Sequence, residues 1–188
     1  MTARISVITA ALPSRLPMLA QAVASVSAQT FQPVEHLILV DHDRRGTGAA
    51  KTQLAHAARG DWVATLDDDD LLDPDHLALL AGYMLSADIV YSWCRVVGRD
   101  GWTPNRHFDA DALRRSNFIP ATALIRRDLI VQLGGWRDSA VCEHGWEDWD
   151  FWLRALNALT VFRCVPEVTW TYRFHPGSKT VRGEKQAA

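Results

Sequence analysis

The sequence predicts an α/β domain with an open, mostly parallel sheet covered by helices on both faces. Three observations carry this. Short β-branched apolar runs alternate with segments of helical periodicity over residues 1–97. The predicted strands are nearly continuous apolar runs, as in sheets buried on both sides. Acidic residues stand directly behind two of them, Asp41 and the run Asp67-Asp68-Asp69-Asp70, at the carboxyl ends where open α/β sheets bind ligands.

The elements follow in order. Arg4 to Ala10 is a β-branched run ended by small residues and Pro13, and reads as a strand. A helix follows through Gln29, with Ser14 as its cap and Leu16, Leu19, Ala22, Val23 and Val26 at helical spacing. His36 to Val40 is a second strand, ended by Asp41 and a polar loop with Gly46 and Gly48. The next helix spans about 49–58, with Gly60 as its C-terminal cap. Asp61 to Leu66 is a third strand running into the four aspartates, and a helix starts near Asp73 and Pro74. Asp88 to Val97 is a fourth strand. Residues 98–117 read as a polar loop with a short helix. Pro120 to Arg126 reads as a strand, Asp128 to Leu133 as a short helix stopped by Gly134 and Gly135, and Glu147 to Leu156 as a helix. Thr160 to Val165 and Val168 to Phe174 read as two final strands split by Pro166, before a polar tail from Gly177.

At 188 residues the chain suits a single domain, able to bury roughly 70% of its unfolded surface without staples. Net charge is −2, which offers no general nucleic-acid-binding signature and no pull toward an anionic membrane. No apolar stretch approaches the roughly 20 residues of a membrane span. Cys94, Cys142 and Cys164 are odd in number and lack a Cys-x-x-Cys pair, so they read as free thiols of a reducing compartment. The expected location is cytoplasmic.

Four consecutive carboxylates at a strand end are the strongest chemical signal. Two unit charges 4 Å apart repel by about 4 kcal/mol at an effective dielectric of 20. Either some carboxyls take protons or a cation sits among them. Hard divalent ions such as Mg²⁺ and Mn²⁺ take oxygen ligands and bridge phosphates. Taken alone, the run is equally a solvated turn that caps the next helix. It is not an EF-hand, because the central glycine and distal glutamate are missing.

Five segments, in order along nearly the whole chain, resemble glycosyltransferase family 2, which has the GT-A fold. They are ISVITA through SVSAQT to HLILVD, then GDWVATLDDDDLLDPDHL, FIPATALIRRDLIVQLGGW, GWEDWDFWLR and YRFHPGS. The resemblance implies one Rossmann-like GT-A domain over 1–188, with a nucleotide-sugar-binding half (1–97) and an acceptor-side and catalytic half (98–188). It implies an inverting, metal-dependent transfer of a sugar from a nucleoside diphosphate to a hydroxyl. Donor-side residues would be Thr9, Asp41, Lys51, Asp67, Asp68 and Gly135, with Thr9 and Asp41 at the base and Gly134 and Gly135 in the turn lining the sugar. The metal, Mn²⁺ or Mg²⁺, would sit on Asp69 and His175 with Asp67. Asp148 would be the catalytic base, with Glu147 orienting the acceptor. A UDP-sugar is the first choice of donor, with GDP- and TDP-sugars as alternatives. The acceptor stays open among a glycan, a lipid carrier, a protein side chain and a modified base. The opening loop (ALPSR) and the segment after Asp41 depart from the family pattern and leave donor identity open.

A cation on Asp69 and His175 would neutralise the departing diphosphate. Arg173 could add charge there, whereas Lys179 and Arg182 read as solvated surface. Phe151 and Trp152 read as core. Trp102 and Trp136, in predicted loops, are acceptor-contact candidates, and Trp146 stands evenly between core and acceptor. His36, His42, His56, His76, His107 and His144 lack metal-like spacing and read as structural or exposed. Two other classes compete: an inactive nucleotide- or glycan-binding module, and a nucleotidyltransferase on a related fold, which would need a glycine-rich basic loop that TAALPSR does not supply.

Overall fold

A computed structural model describes residues 4–142 and 146–178. His144, Lys179, Arg182 and the tail beyond Ser178 lie outside the described residues. In chain order the elements are β1 (Ile5–Ala11), α1 (Leu16–Ser27), β2 (Glu35–Val40), α2 (Thr47–Ala57), β3 (Trp62–Thr65), β4 (Leu71–Leu72), α3 (His76–Ala81), β5 (Ile89–Val97), α4 (Ala110–Arg115), β6 (Ala123–Arg126), α5 (Arg127–Gln132), α6 (Glu147–Asn157) and β7 (Phe162–Arg173). The strands form one sheet in the order β2-β1-β3-β6-β5-β7-β4. β1 pairs in parallel with β2 and β3, and β5 with β7; β6 is antiparallel to β3 and β5, and β4 to β7. So β1, β2, β3, β5 and β7 run one way, with β6 and β4 reversed.

The period-2 alternation of side chains divides the core into two layers. On one face Ile8, Val63, Ile89, Tyr91 and Ile125 pack with Leu54 of α2, Leu113 of α4, Ile130 of α5, and Phe151 and Trp152 of α6. On the other, Ile5, Val7, Ala64, Val90 and Leu124 pack with Ala22 and Val26 of α1 and Leu77 and Leu80 of α3. The doubly covered α/β fold expected from the sequence is the one observed.

Local departures have local causes. Ser14 caps nothing: residues 13–15 form a 3-10 turn, and neither it nor α1 has a side-chain cap bond. Gln29 does the tying at the other end, donating to the Ser25 and Asp73 carbonyls and accepting from the Leu77 amide. Gly60 is no helix cap either, since α2 ends before an extended Ala58. A Cβ there would lie 2.5 Å from the Ser6 nitrogen, so Gly60 lets the chain pass tight against β1. α3 starts at His76, after Leu71 and Leu72 have paired with Thr171 and Trp170. The two strands expected around Pro166 are one, β7. Its register against β5 jumps from Ser92↔Val165 to Trp93↔Val168, so the ladder steps past a residue without an N–H. Cys94, Cys142 and Cys164 form no disulfide. No helix among the described residues is long and apolar enough to cross a membrane.

Candidate active site at the carboxyl ends of the strands

β3 ends at Thr65 and delivers the aspartate run to the edge of the sheet, beside the ends of β1 and β7. Each carboxylate there has its own environment. Asp67 stands 2.8 Å from the Nζ of Lys51, a lysine from α2 whose side chain is only 2% exposed. Asp68 accepts from the Leu12 amide (2.7 Å) and from Arg15 (2.9 Å). One oxygen of Asp69, Oδ2, is shared by Arg15 Nη1 at 2.6 Å and His175 Nε2 at 3.1 Å. Asp70 is buried and accepts the Arg173 amide at 2.9 Å.

Burial, then the charges of Asp69 and Asp67, push the Asp70 carboxyl well above its ordinary range. Burial also raises Asp68, against its hydrogen bonds from Leu12 and Arg15. For Lys51, burial disfavours the charge, but Asp67, Glu147 and Asp148 outweigh it and hold the ammonium above its usual pKa. Arg15 behaves alike, burial being offset by Asp69 and Asp68. Ligand oxygens of Asp67, Asp69 and Asp70 lie within 4.8 Å of one another, close enough to share one cation. Asp70, buried and inclined to hold a proton, is the weakest donor of the three. Asp67 and Asp69 remain as oxygen donors for a hard divalent ion, and the His175 imidazole reaches the same Asp69 oxygen.

Lys51 links this run to the start of α6. There Glu147 is buried and Asp148 half-buried. Asp148 accepts from the Trp149 amide (2.8 Å) and from Asn117 Nδ2 (3.2 Å). Burial and the neighbouring Glu147 raise its carboxyl to about 6, with Lys51 pulling the other way. A carboxylate so poised suits a general base near neutral pH. The Oδ1 of Asn117 is buried and without a hydrogen-bond partner.

A cleft of about 780 Å³ opens between the β1–α1 turn, the loop after β2 and the segment after β7, lined in part by Arg15, Asp41, Arg44, Thr47 and Gly177. Asp41 borders it, yet its two oxygens receive the Arg45 and Gly46 amides at 2.9 Å each. These bonds, the Arg45 amide first, hold its carboxyl below the ordinary value. Asp41 thus shapes the loop that leads into α2. Thr9, expected at the base, is fully buried, and its hydroxyl meets His36 Nε2 at 2.9 Å. It supports the cleft from inside the sheet rather than facing it.

Trp136 departs from its expected acceptor role. It is 5% exposed and stacks on Phe151 with ring centroids 4.8 Å apart, so its face is spent in the core. The loop that carries it is pinned by Thr52 of α2, which accepts the Trp136 amide at 2.8 Å. Gly135 makes that packing fit: its φ is +74°, and a Cβ would fall 2.4 Å from the Thr52 side chain. Trp102 is half-buried against Tyr172, with Arg99 over its ring at 5.3 Å, and Trp146 is half-buried at the entrance to α6. Two residues of the site escaped sequence reasoning. Arg15 lies in an apolar loop with no motif around it, and Asn117 reaches Asp148 from 31 residues away.

The comparisons with known proteins bear on family and fold. The model of glycosyl transferase family 2 matches residues 36–135, and the chain belongs to that family. The chain is 28% identical to YwdF, an uncharacterized glycosyltransferase of Bacillus subtilis, over 86% of this chain and 71% of that one. It is 21% identical to MJ1057, another uncharacterized glycosyltransferase, from Methanocaldococcus jannaschii, over 76% of this chain and 52% of that one. In structure it resembles S. aureus TarS in complex with UDP-GlcNAc (TM-score 0.75, 14% identity, 95% of this chain). It also resembles the mannosyltransferase PcManGT of Pyrobaculum calidifontis with GDP-Man and Mn²⁺ (TM-score 0.67, 14% identity, 97% of this chain). The chain spans 60% of the length of each of these two solved chains.

Proposed function

We propose that the chain transfers a sugar from a nucleoside diphosphate to an acceptor hydroxyl with inversion at the anomeric carbon. The observation that carries this reading is the Lys51 bridge. One buried cation lies against the donor-side carboxylate Asp67 and under the field of Asp148, coupling a diphosphate-binding edge to a base of pKa about 6. Two solved relatives of the same fold bind UDP-GlcNAc and GDP-Man, one of them with Mn²⁺, which supports a nucleotide sugar in the 780 Å³ cleft.

Asp69, His175 and Asp67 would hold a divalent cation, Mn²⁺ in preference to Mg²⁺ because of the imidazole. That ion would supply charge to stabilise the leaving diphosphate. The chain's own residues do the rest. Asp148 receives the acceptor's proton as the hydroxyl attacks from the face opposite the diphosphate. Asn117 and the Trp149 amide fix the carboxylate's orientation. Lys51 keeps enough of it ionised near neutrality. Asp41 orders the cleft loop.

The test is binding of UDP, GDP and TDP, with and without Mn²⁺, to the wild type and to Asp69→Asn. The expected result is metal-dependent binding of one nucleotide, lost in the variant. Donor turnover by wild type but not by Asp148→Asn, with the product anomer read by NMR, checks the base and the inversion. Retention of configuration would refute the base assignment.

A further inference from the structure

Arg15 stands among the carboxylates that would hold the proposed cation. Its guanidinium makes three contacts at once: Asp68 Oδ1 at 2.9 Å, Asp69 Oδ2 at 2.6 Å and the Gly177 carbonyl at 2.6 Å. The side chain is 15% exposed and lines the cleft together with Gly177. The oxygen it holds on Asp69 is the one His175 also reaches, so it belongs to the proposed metal set. A guanidinium nitrogen 2.6 Å from Asp69 Oδ2 and a metal ion about 2.1 Å from it compete for the lone pairs of one oxygen that His175 also reaches. The two like charges would also repel at that range.

Resting on the reading above, we propose that Arg15 is a built-in counter-cation that makes metal binding depend on the donor. In the donor-free protein Arg15 holds Asp69 and ties the Gly177 segment across one side of the cleft. When a nucleoside diphosphate enters, its phosphate oxygens give the guanidinium a second anionic partner a short swing away. Arg15 moves onto the diphosphate, Asp69 is released to the metal, and the two ligands bind with positive coupling. A forked guanidinium suits this exchange: its Nη1 now spans one oxygen each of Asp68 and Asp69 and its Nη2 holds the Gly177 carbonyl, whereas a phosphate can take both nitrogens at once. Asp68 keeps the arginine near, with its own carboxylate fixed by the Leu12 amide.

The test uses the full chain and Mn²⁺ alone, following the loss of the free-ion electron paramagnetic resonance signal, with and without UDP or whichever diphosphate the first experiment selects. Arg15→Gln removes the competing charge, and Arg15→Lys keeps a charge without the fork. In the absence of nucleotide, Arg15→Gln binds Mn²⁺ about tenfold more tightly than wild type, within the usual range of coupling between sites. In the presence of Mn²⁺ it binds the diphosphate more weakly, so the coupling between the two ligands falls. Arg15→Lys lies between. Circular dichroism confirms that each variant is folded. Should the arginine be a structural strut alone, Arg15→Gln binds Mn²⁺ no better than wild type, and the proposal is overturned. Asp69→Asn separates the two ideas. If it leaves Mn²⁺ binding intact, the metal reading fails. If it abolishes binding while Arg15→Gln changes nothing, the counter-cation alone fails. Absence of Mn²⁺ binding in wild type and Arg15→Gln alike, with the diphosphate present as well as without it, overturns both.

Discussion

Replacing Asp148 with asparagine separates its chemistry from its place in the fold. The carboxyl is raised to about 6, chiefly by burial and then by Glu147. The folded state therefore favours its protonated form. The stability this gives is fully present below the unfolded value near 3.8 and is lost as pH rises through about 6. Asparagine is neutral throughout and avoids that loss. Its amide can still accept from Trp149, and its Nδ2 can donate to the orphaned Asn117 Oδ1 once that amide turns. Asp148→Asn is expected to melt higher than wild type at pH 7.5, by up to about 2–3 kcal/mol of stability, and equally at pH 4. Transfer falls by about 10²- to 10⁴-fold. Thermal melts at both pH values, with single-turnover rates, check this. A variant that loses stability at pH 7.5 contradicts the assignment of a strained base. Lys51 gives the complementary case. It lowers the Asp148 carboxyl, so Lys51→Met moves the acidic limb of kcat/KM to higher pH. It also removes a buried ionic partner of Asp67 and destabilises by about 3 kcal/mol, toward the low end for a broken buried pair because Asp67 is 32% exposed.

At the scale of elements, α2 carries the site's central cation and also sets how close the catalytic half can come. Gly48, in its first turn, has the Arg137 carbonyl where a Cβ would be, at 2.3 Å, and the Glu147 Cβ at 3.5 Å. Gly48→Ala must push the Arg137 backbone or α2 aside. The expected cost is about 1–3 kcal/mol, with a larger loss of kcat than of nucleotide affinity, because the shift falls between Lys51 and the head of α6. A denaturant melt and steady-state kinetics on the same preparation measure both. This closeness was invisible in the sequence, where Gly46 and Gly48 read simply as loop glycines. The elements themselves were legible, because apolar period and strand-end carboxylates are local signals. What was not legible depended on partners. β4 has only two residues and exists because β7 runs beside it. Pro166 marks a register jump rather than a break because β5 lies alongside. Trp136 looked like a loop aromatic until Phe151 supplied a face to stack on. The aspartates and Asp148 announced themselves by type and order, whereas Arg15 and Asn117 act only through contacts with residues far away in sequence.

For the whole molecule, strand direction concentrates charge. Because β1, β2, β3 and β7 all end on one edge, the β1–α1 turn, the Asp41 loop, the aspartate run and His175 are brought together without any of them being near in sequence. The protein meets the resulting repulsion with Arg15, Lys51 and Arg173, and by burying Asp70, whose carboxyl is pushed well above its ordinary range. Such an edge is held by internal cations that a ligand can replace, so ligand binding should stabilise the fold by simple mass action. With Mn²⁺ and the selected diphosphate each near a hundredfold above its dissociation constant, the expected gain is about 2.7 kcal/mol per independent ligand. Positive coupling makes the pair exceed the sum of the separate gains. A thermal melt series over four conditions (no ligand, Mn²⁺, diphosphate, both) reads this directly, and chelation with EDTA returns each Mn²⁺-containing sample to the melting temperature of its metal-free counterpart. In Asp69→Asn the Mn²⁺-dependent part of the shift vanishes, while any metal-free diphosphate shift persists through Arg15. If the shift with both ligands is no larger than with the diphosphate alone, the aspartate edge works without a metal, and the charge it carries is balanced by Arg15, Lys51 and Arg173 throughout the reaction.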